Sequence, residues 1–310
     1  MGQLLAPTPA RGGTDTHEWD WPAGADASAA RCAVRERREP VAALVSVIVP
    51  TLNEAENLRV VLPQLSPDYE VVIVDGGSED GTVAVAREVR PDAIIVRQPG
   101  RGKGDALLCG FAVAAGDVLV MFDADGSARA DEIPRFVEAL GDADFAKGSR
   151  FVEGGGSADL TRVRNLGNRF LCGLVNLLHD TAYTDLCYGF NAFRRTCLPH
   201  MPEDAPGFEI ETMMNIRIAH ADLRVVEVPS YEEERHFGQS NLHAFRDGFK
   251  ILRVLIGERF RTNGRRAAGG APPVSAPAPL TAAFPLAELG PVFPVAELAP
   301  LVEVIPETSD

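Results

Sequence analysis

Two aspartates stand where a buried strand is expected to end. Asp123 and Asp125 follow the apolar run DVLVMF, in the segment DADG. Carboxylates two residues apart at such a position can converge on one divalent cation, and oxygen ligands suit Mg²⁺ or Mn²⁺. A bound cation neutralises the charge on a departing diphosphate. The motif alone is weak evidence, because loop carboxylates also cap helices such as one starting near Asp131.

Strand-like and helix-like segments alternate around these aspartates. Continuous apolar runs at 44–50 and 70–76 are rich in β-branched residues and predict strands covered on both faces. Further strands are predicted at 93–98, 117–123 and 143–150, with helix-like stretches between the first four strands. This order predicts an α/β fold whose first half is a Rossmann-like, nucleotide-binding unit with a mostly parallel central sheet flanked by helices.

The second half of the chain departs from this order. It contains helical patterns at 160–179 and 208–221, the glycine-containing stretch DLCYGFNAFRR and a strand near RVVEVPS. We expect this half to be continuous with the first and to bind the acceptor, the molecule that displaces the departing diphosphate.

Polar residues follow the first two predicted strands as well. The segments are TLNE at 51–54 and DGGSEDGT at 75–82. Ligands of open α/β sheets bind at the carboxyl ends of the strands, so these segments offer side chains to a base and a ribose. The glycines among them allow the backbone to approach a ligand closely.

Composition excludes several classes of protein. The chain of 310 residues carries 44 acidic and 30 basic side chains, a net charge of -14, which argues against nucleic acid as a partner. Its five cysteines form no Cys-x-x-Cys pair and suggest reduced thiols. Neither an export signal nor a membrane-spanning run is indicated. These features predict a cytoplasmic protein.

Composition also divides the chain into three parts. Residues 1–43 lack hydrophobic periodicity and are predicted to be a disordered tail, residues 44–262 form the folded domain, and residues 263–310 are an Ala/Pro-rich, mostly disordered tail. The second tail contains a near-duplication, FPLAELGP at 284–291 and FPVAELAP at 293–300. It is interpreted either as a docking motif for a protein partner or as low-complexity sequence without one.

Several motifs in a fixed order resemble a known family. SVIVPTLNEAENL, VVIVDGGSEDGT, GKGDALLCGFAVAAGDVLVMFDADG and KGSR are similar to glycosyltransferase family 2, which has the GT-A fold. DLCYGFNAFRR, GFEIETMMNIRIAHADLRVVEVP and RHFGQSNL look like its branch of dolichyl- or polyprenyl-phosphate sugar synthases. The resemblance covers about 44–245.

The resemblance implies roles for matching residues. It places Asp123 and Asp125 at the metal and diphosphate, and a loop with Arg235 and Ser240 over phosphate. Lys103, in a glycine-rich turn, is also a candidate for phosphate contact. The implied donor-binding set is Pro50, Glu54, Asp75, Lys103, Asp123, Arg150, Arg235 and Ser240. Two residues depart from the family pattern: Gly76 stands in place of a second acidic residue, and Ser127 in place of a glutamine common in the lipid-phosphate branch.

The mechanism that the family implies is inversion at the anomeric carbon. A hydroxyl acceptor needs a general base, whereas a phosphate acceptor is already deprotonated and needs only positioning. The acidic candidates of the second half are Asp185, Glu209 and Glu211, of which Asp185 and Glu209 are favoured as catalytic residues beside Asp125.

The predicted reaction transfers mannose or glucose from GDP-mannose or UDP-glucose to a polyprenyl or dolichyl phosphate, with Mg²⁺ or Mn²⁺. One alternative keeps the donor and uses a soluble small molecule or a polysaccharide as acceptor. Another is a nucleotide-sugar-binding protein without turnover.

Two helices are candidates for contact with lipid. Residues 241–266 form an amphipathic basic pattern that suits the surface of an anionic membrane, placing the protein at the inner face of the cell membrane, or equally suits packing on the domain. The helix with Leu166, Phe170, Leu174 and Leu178 either cradles a lipid or fills the core, and we favour the core for most of it.

Overall fold

The computed structural model describes residues 43–202, 205, 207–238, 244–267 and 303–305, and for 244, 245, 262–267 and 303 it describes the backbone alone. The described residues lie in one unit, Val41–Asp310. The strands are β1 Val45–Thr51, β2 Glu70–Asp75, β3 Ile94–Arg97, β4 Val118–Met121, β5 Phe145–Ser149, β6 Gly156–Ser157, β7 Asn191–Arg194, β8 Val225–Pro229, β9 Tyr231–Glu232 and β10 Glu303–Val304. The helices are α1 Ala55–Val61, α2 Thr82–Val89, α3 Lys103–Val113, α4 Ile133–Ala139, α5 Arg162–His179, α6 Glu209–His220 and α7 Ala244–Ala267.

Eight strands form the central sheet, in the order β10-β3-β2-β1-β4-β7-β5-β8. Strands β3, β2, β1 and β4 are parallel neighbours, and β5 is parallel to β8. Strand β7 runs antiparallel between β4 and β5. The predicted mostly parallel sheet is therefore confirmed, while β7 lies in the stretch DLCYGFNAFRR, to which the sequence assigned no strand.

The sheet is buried on both faces because its central strands place apolar side chains alternately on one face and the other. In β1, Val47 and Val49 pack into one core cluster and Ile48 into the other. Strand β2 repeats this pattern with Ile73 on one side and Val72 on the other. Helices α1 and α3 cover opposite faces, as β-branched runs in a parallel sheet require.

Helices α5, α6 and α7 share a third cluster, which includes Val175, Ile216 and Leu255. A pair of histidines joins the three helices: Nδ1 of His179 lies 3.2 Å from Nε2 of His220, and its Nε2 lies 3.0 Å from the carbonyl oxygen of Leu255. Burial lowers the pKa of His179, and the positive charge of Arg259 adds to the effect.

The protein should lose stability below about pH 6.5, the ordinary pKa of histidine. A histidine whose pKa is lowered by folding binds protons more readily when unfolded, so acid favours the unfolded state. Urea denaturation at pH 7.5 and 5.5 measures the loss. The His179→Gln variant should lose less over this range, with His200, whose pKa burial also lowers, supplying part of the remainder. Equal losses in both proteins would contradict the assignment.

The disorder predicted for the two terminal segments stays a prediction. Of 1–43 the structure describes Ala43, and of the second tail it describes 303–305 and the end of α7. Strand β10 pairs antiparallel with β3, and the N–H of Ile305 donates to the carbonyl oxygen of Ile95. The duplicated motif at 284–300 lies outside the described residues.

The exposed residues of α5 differ from the expectation. The helix was predicted to bury most of its Leu166, Phe170, Leu174 and Leu178 stripe, but the first two are exposed and the last two half-buried. Its core residues are Leu171, Cys172 and Val175, about a third of a turn away around the helix. That part of the sequence interpretation is wrong.

Candidate active site

The candidate site lies at the carboxyl ends of β1 and β4. These strands are parallel neighbours, with Ile48 opposite Met121, so the residues that follow both strands reach the same edge of the sheet. Helix α1 begins beside this edge with Glu54 as its N-cap residue. Asp123 and Asp125 lie in the turn after β4.

Lys103 bridges two carboxylates of the site, Asp123 and Glu211. Its Nζ lies 2.7 Å from Asp123 Oδ1 and 2.7 Å from Glu211 Oε1. Burial alone would lower the pKa of the Lys103 ammonium, but the two carboxylates outweigh burial and hold the pKa above its ordinary value. Lys103 is therefore a fixed cation that connects α3, the β4 turn and α6.

Arg235 joins the second carboxylate pair. Its guanidinium contacts Asp125 Oδ2 at 2.9 Å and Glu54 Oε1 at 3.0 Å. Backbone bonds hold the same segment over the turn, since the N–H of His236 donates to the carbonyl oxygen of Asp125 at 3.1 Å. On the other side, the N–H of Phe237 donates to Asn57 Oδ1 at 3.0 Å. The segment 233–238 thus closes this edge of the site.

The site carries more negative than positive charge. Its ion pairs bring together four carboxylates, those of Glu54, Asp123, Asp125 and Glu211, and two cations, Lys103 and Arg235. The described residues contain no ready-made cluster of three or more acidic, His or Cys ligands. Mg²⁺ needs no such cage, because it is commonly held by one or two carboxylates together with substrate phosphates. The excess negative charge and the two neighbouring carboxylates therefore fit a divalent cation held with a diphosphate.

A glycine permits the close approach of these groups. A Cβ atom at Gly189 would lie 2.6 Å from Lys103 Nζ, 2.7 Å from Glu211 Oε1 and 3.0 Å from Asp123 Oδ2. The loop before β7 therefore packs its backbone directly on the Lys103 ion pairs.

Gly189→Ala should reduce transfer about tenfold or more with a small loss of stability. The added methyl meets the ends of flexible side chains, which move and misplace the charged groups, and misplacement of about 1 Å costs roughly 10²-fold in rate. Initial rates and thermal unfolding of the variant test this. Gly173→Ala, a helical glycine whose Cβ would meet nothing within 4 Å, is the matched control. Equal activity of both variants would show that the contact is unimportant.

Arg150 lies in a second, buried ion-pair network. Its Nε donates to Asp185 Oδ2 at 2.7 Å, its second terminal nitrogen to Asp185 Oδ1 at 3.0 Å, and the remaining nitrogen to Glu232 Oε2 at 2.9 Å. The Arg150 and Asp185 side chains are 3% and 0% exposed. Burial alone would raise the pKa of Asp185, but Arg150 holds it below its ordinary value. The guanidinium faces carboxylates here rather than an open pocket.

Two other predicted donor residues, Asp75 and Pro50, lie near the same edge of the sheet. Asp75 is buried and accepts the N–H groups of Gly77 and Ser78 at 3.0 and 3.2 Å, so its side chain shapes the turn after β2. Pro50 is half-buried within β1. Ser240 lies outside the described residues. The roles predicted for these residues stay predictions.

Glu211, rather than Glu209, reaches the Asp123 turn. Glu209 is the first residue of α6, and its carboxylate accepts the N–H of Gly207 at 3.2 Å. Two residues later the helix has turned, so Glu211 is buried and faces Lys103. The sequence named Glu211 among its acidic candidates but favoured Glu209, whereas Glu232, which pairs with Arg150, was missed. Its position in a two-residue strand gives no periodicity to find it.

Comparison with known proteins identifies the family. The profile described as "Glycosyl transferase family 2" matches residues 46–200, from β1 to the turn after β7. The chain belongs to glycosyltransferase family 2. The matched region contains Lys103, the Asp123 turn and Arg150, whereas Glu211 and Arg235 follow it.

Curated relatives include enzymes named for polyprenyl phosphates. The chain is 34% identical over 230 residues to undecaprenyl-phosphate mannosyltransferase of Micrococcus luteus, covering 68% of this chain and 92% of that protein. It is 34% identical over 218 residues to polyprenol monophosphomannose synthase of Mycolicibacterium smegmatis, covering 63% and 80%. The chain is 31% identical over 226 residues to the low-salt glycan biosynthesis hexosyltransferase Agl6 of Haloferax volcanii. The match covers 70% of this chain and 54% of Agl6, so the chain spans about half the length of that relative.

Solved structures agree with the fold. Glucosyl-3-phosphoglycerate synthase from Mycobacterium tuberculosis, crystallised with Mn²⁺, UDP and glucosyl-3-phosphoglycerate, superimposes with a TM-score of 0.57 at 22% identity. The match covers 71% of this chain and 81% of that one. This family 2 chain therefore has the GT-A fold that its sequence motifs implied.

Proposed function

We propose that the protein transfers a hexose, mannose or glucose, from GDP-mannose or UDP-glucose to a polyprenyl phosphate, with inversion at the anomeric carbon. The observation that carries this proposal is the arrangement at the Asp123 turn, where two fixed cations and four carboxylates share the carboxyl edge of the sheet. Relatives named for undecaprenyl phosphate and polyprenol support the choice of acceptor.

Charge neutralisation is the chemistry that this arrangement suits. Asp123 and Asp125 would hold Mg²⁺ or Mn²⁺, and when bound the ion would supply Lewis-acid stabilisation to the leaving diphosphate. Lys103 and Arg235 are placed beside the same two carboxylates and supply further positive charge to phosphate oxygens. Glu54 and Glu211 hold these two cations in position when no diphosphate is bound.

The acceptor half suits a substrate that needs no general base. Asp185 has no exposed surface and both its oxygens contact Arg150, so we assign it to positioning the loop rather than to proton removal. Glu211 is paired with Lys103. Glu209 keeps a buried oxygen, Oε2, without a hydrogen-bond partner, and remains the candidate catalytic carboxylate if the acceptor is a hydroxyl. A phosphate monoester is already deprotonated and needs only orientation.

A transfer assay with three classes of acceptor tests the proposal. The full chain is incubated with labelled GDP-mannose or UDP-glucose and Mn²⁺, and with a water-soluble short-chain polyprenyl phosphate, a phosphorylated small molecule or a polysaccharide. We expect label on the polyprenyl phosphate, in a product of inverted anomeric configuration. Label on one of the other acceptors alone would favour the soluble-acceptor alternative. Donor binding without turnover on any acceptor would favour a non-catalytic protein.

A further inference from the structure

The outer faces of α5 and α7 expose large apolar side chains. On α5, Leu166, Phe170 and Leu177 are 73%, 63% and 81% exposed, and their spacing of four and seven residues places them on one face. The described side chains of α7 add Phe249, Ile256 and Phe260. Exposed patches of large apolar side chains mark protein or membrane contacts. We propose that these two faces, here called the α5/α7 surface, dock on an anionic lipid bilayer.

The charges of the α5/α7 surface select an anionic partner. Among the described side chains of the two helices, every exposed charged residue is basic: Arg162, Arg169, Arg246, Lys250, Arg253, Arg259 and Arg261. The acidic residues of α7 are buried: Asp247 pairs with Arg246 and Lys250, and Glu258 with Arg217 and Arg261, which leaves basic charge in excess on the exposed face. The whole chain has a net charge of -14, so this local excess of basic charge is opposite to the average. Basic residues around exposed apolar groups are the pattern of interfacial helices on anionic lipids.

Packing among the residues that the structure describes does not account for this surface. The inner faces of α5 and α7 already meet in one cluster with Leu171, Val175, Ile251 and Leu255. The apolar stripe that the sequence singled out on α7 includes Phe249 and Ile256, which the structure exposes rather than packs. Among the described residues, no helix is both long and apolar enough to cross a bilayer.

The surface connects to the acceptor half of the site through one side chain. On the inner face of α5, Asn168 Oδ1 accepts the N–H groups of Leu186 and Cys187 at 3.1 and 3.2 Å. The same loop carries Asp185, which Arg150 holds. A helix is about 10 Å across, so a bilayer on the outer face of α5 would lie about that far from this loop. Docking would bring the protein to a polyprenyl phosphate held in the membrane. In this respect the inference rests on the proposed function.

Vesicle flotation without substrates tests docking separately from transfer. The full chain is mixed with vesicles of phosphatidylcholine alone or with one third phosphatidylglycerol. We expect binding to the anionic vesicles that weakens with salt, and a loss of about tenfold or more in the Leu166→Gln/Phe170→Gln variant. The matched control is Val60→Gln/Val226→Gln, which changes two exposed apolar residues outside the surface and should bind like the wild type.

Two further measurements separate the outcomes. The docking variant should keep transfer to a water-soluble short-chain acceptor and lose transfer to polyprenyl phosphate embedded in vesicles. Light scattering gives the oligomeric state without lipid.

No binding to anionic vesicles, or equal binding by both variants, would overturn the proposal. A dimer that the docking variant converts to a monomer, with no vesicle binding, would show that a second copy of the chain covers the surface. Failure of transfer to every acceptor would count against the proposed function and leave docking standing if flotation succeeds.

Discussion

Asp125→Asn should lower kcat for transfer by about 10³-fold or more, equivalent to roughly 4 kcal/mol of transition-state stabilisation. The substitution keeps the size of the side chain but removes one of the two neighbouring negative charges that would hold the divalent cation. It also removes one of the two charge partners of Arg235, which contacts Asp125 Oδ2 at 2.9 Å and keeps Glu54. The effect is measured as initial rates at saturating donor and Mn²⁺.

Asp131→Asn is the matched control for this experiment. Asp131 also follows the Asp123 turn, but its side chain is 68% exposed and pairs with Arg129 on the surface. The control should stay within about twofold of the wild-type rate, because exposed ion pairs contribute little. Transfer by Asp125→Asn at the wild-type rate would remove Asp125 from the mechanism.

Arg150→Met should destabilise the fold by about 3–5 kcal/mol, because removing one partner of a buried ion pair leaves the other charge unpaired. Asp185 would lose its bidentate partner while fully buried, and Glu232 would lose its contact at 2.9 Å. For a domain of this size such a loss lowers the melting temperature by roughly 10 °C. Thermal unfolding of the variant, monitored by circular dichroism, measures it.

Two variants make the Arg150 result interpretable. Arg150→Met/Asp185→Leu removes the bidentate pair and leaves Glu232 with Ser157 as its partner, so it should recover part of the lost stability, since apolar replacement of a buried pair is often neutral. Arg59→Met breaks an exposed pair with Glu88 and should melt near the wild-type temperature. If Arg150→Met melted like Arg59→Met, the buried network would not be a stabilising element and Arg150 would be free for a phosphate.

The strands of the first half could be predicted because their residues carry a strong signal. β-branched runs such as that of β1 are long, buried on both faces and end at polar residues. The sequence therefore indicates both that the segment is a strand and where the strand ends. Strand β7 was missed because its four residues, Asn191–Arg194, are too short for periodicity and follow a glycine-containing loop. Its antiparallel direction depends on pairing with β4 and β5, which are distant in sequence.

The site was predicted in part for the same physical reason. The sheet fixes the position of residues that follow a strand, such as Asp123. Their place in the sequence therefore indicates their place in the site. The choice between Glu209 and Glu211 depends on where α6 begins, and helix ends are the least predictable boundaries. The Arg150 network depends on contacts across 35 and 82 residues of chain, which no local pattern encodes.

The most direct test of the divalent-cation site is a crystal of the full chain grown with Mn²⁺ and GDP or UDP. Anomalous scattering should show one manganese ion between the carboxylates of Asp123 and Asp125 and the diphosphate, with Lys103 and Arg235 turned toward phosphate oxygens. A nucleotide bound with manganese elsewhere, and with the ion pairs of Lys103 and Arg235 unchanged, would contradict the account.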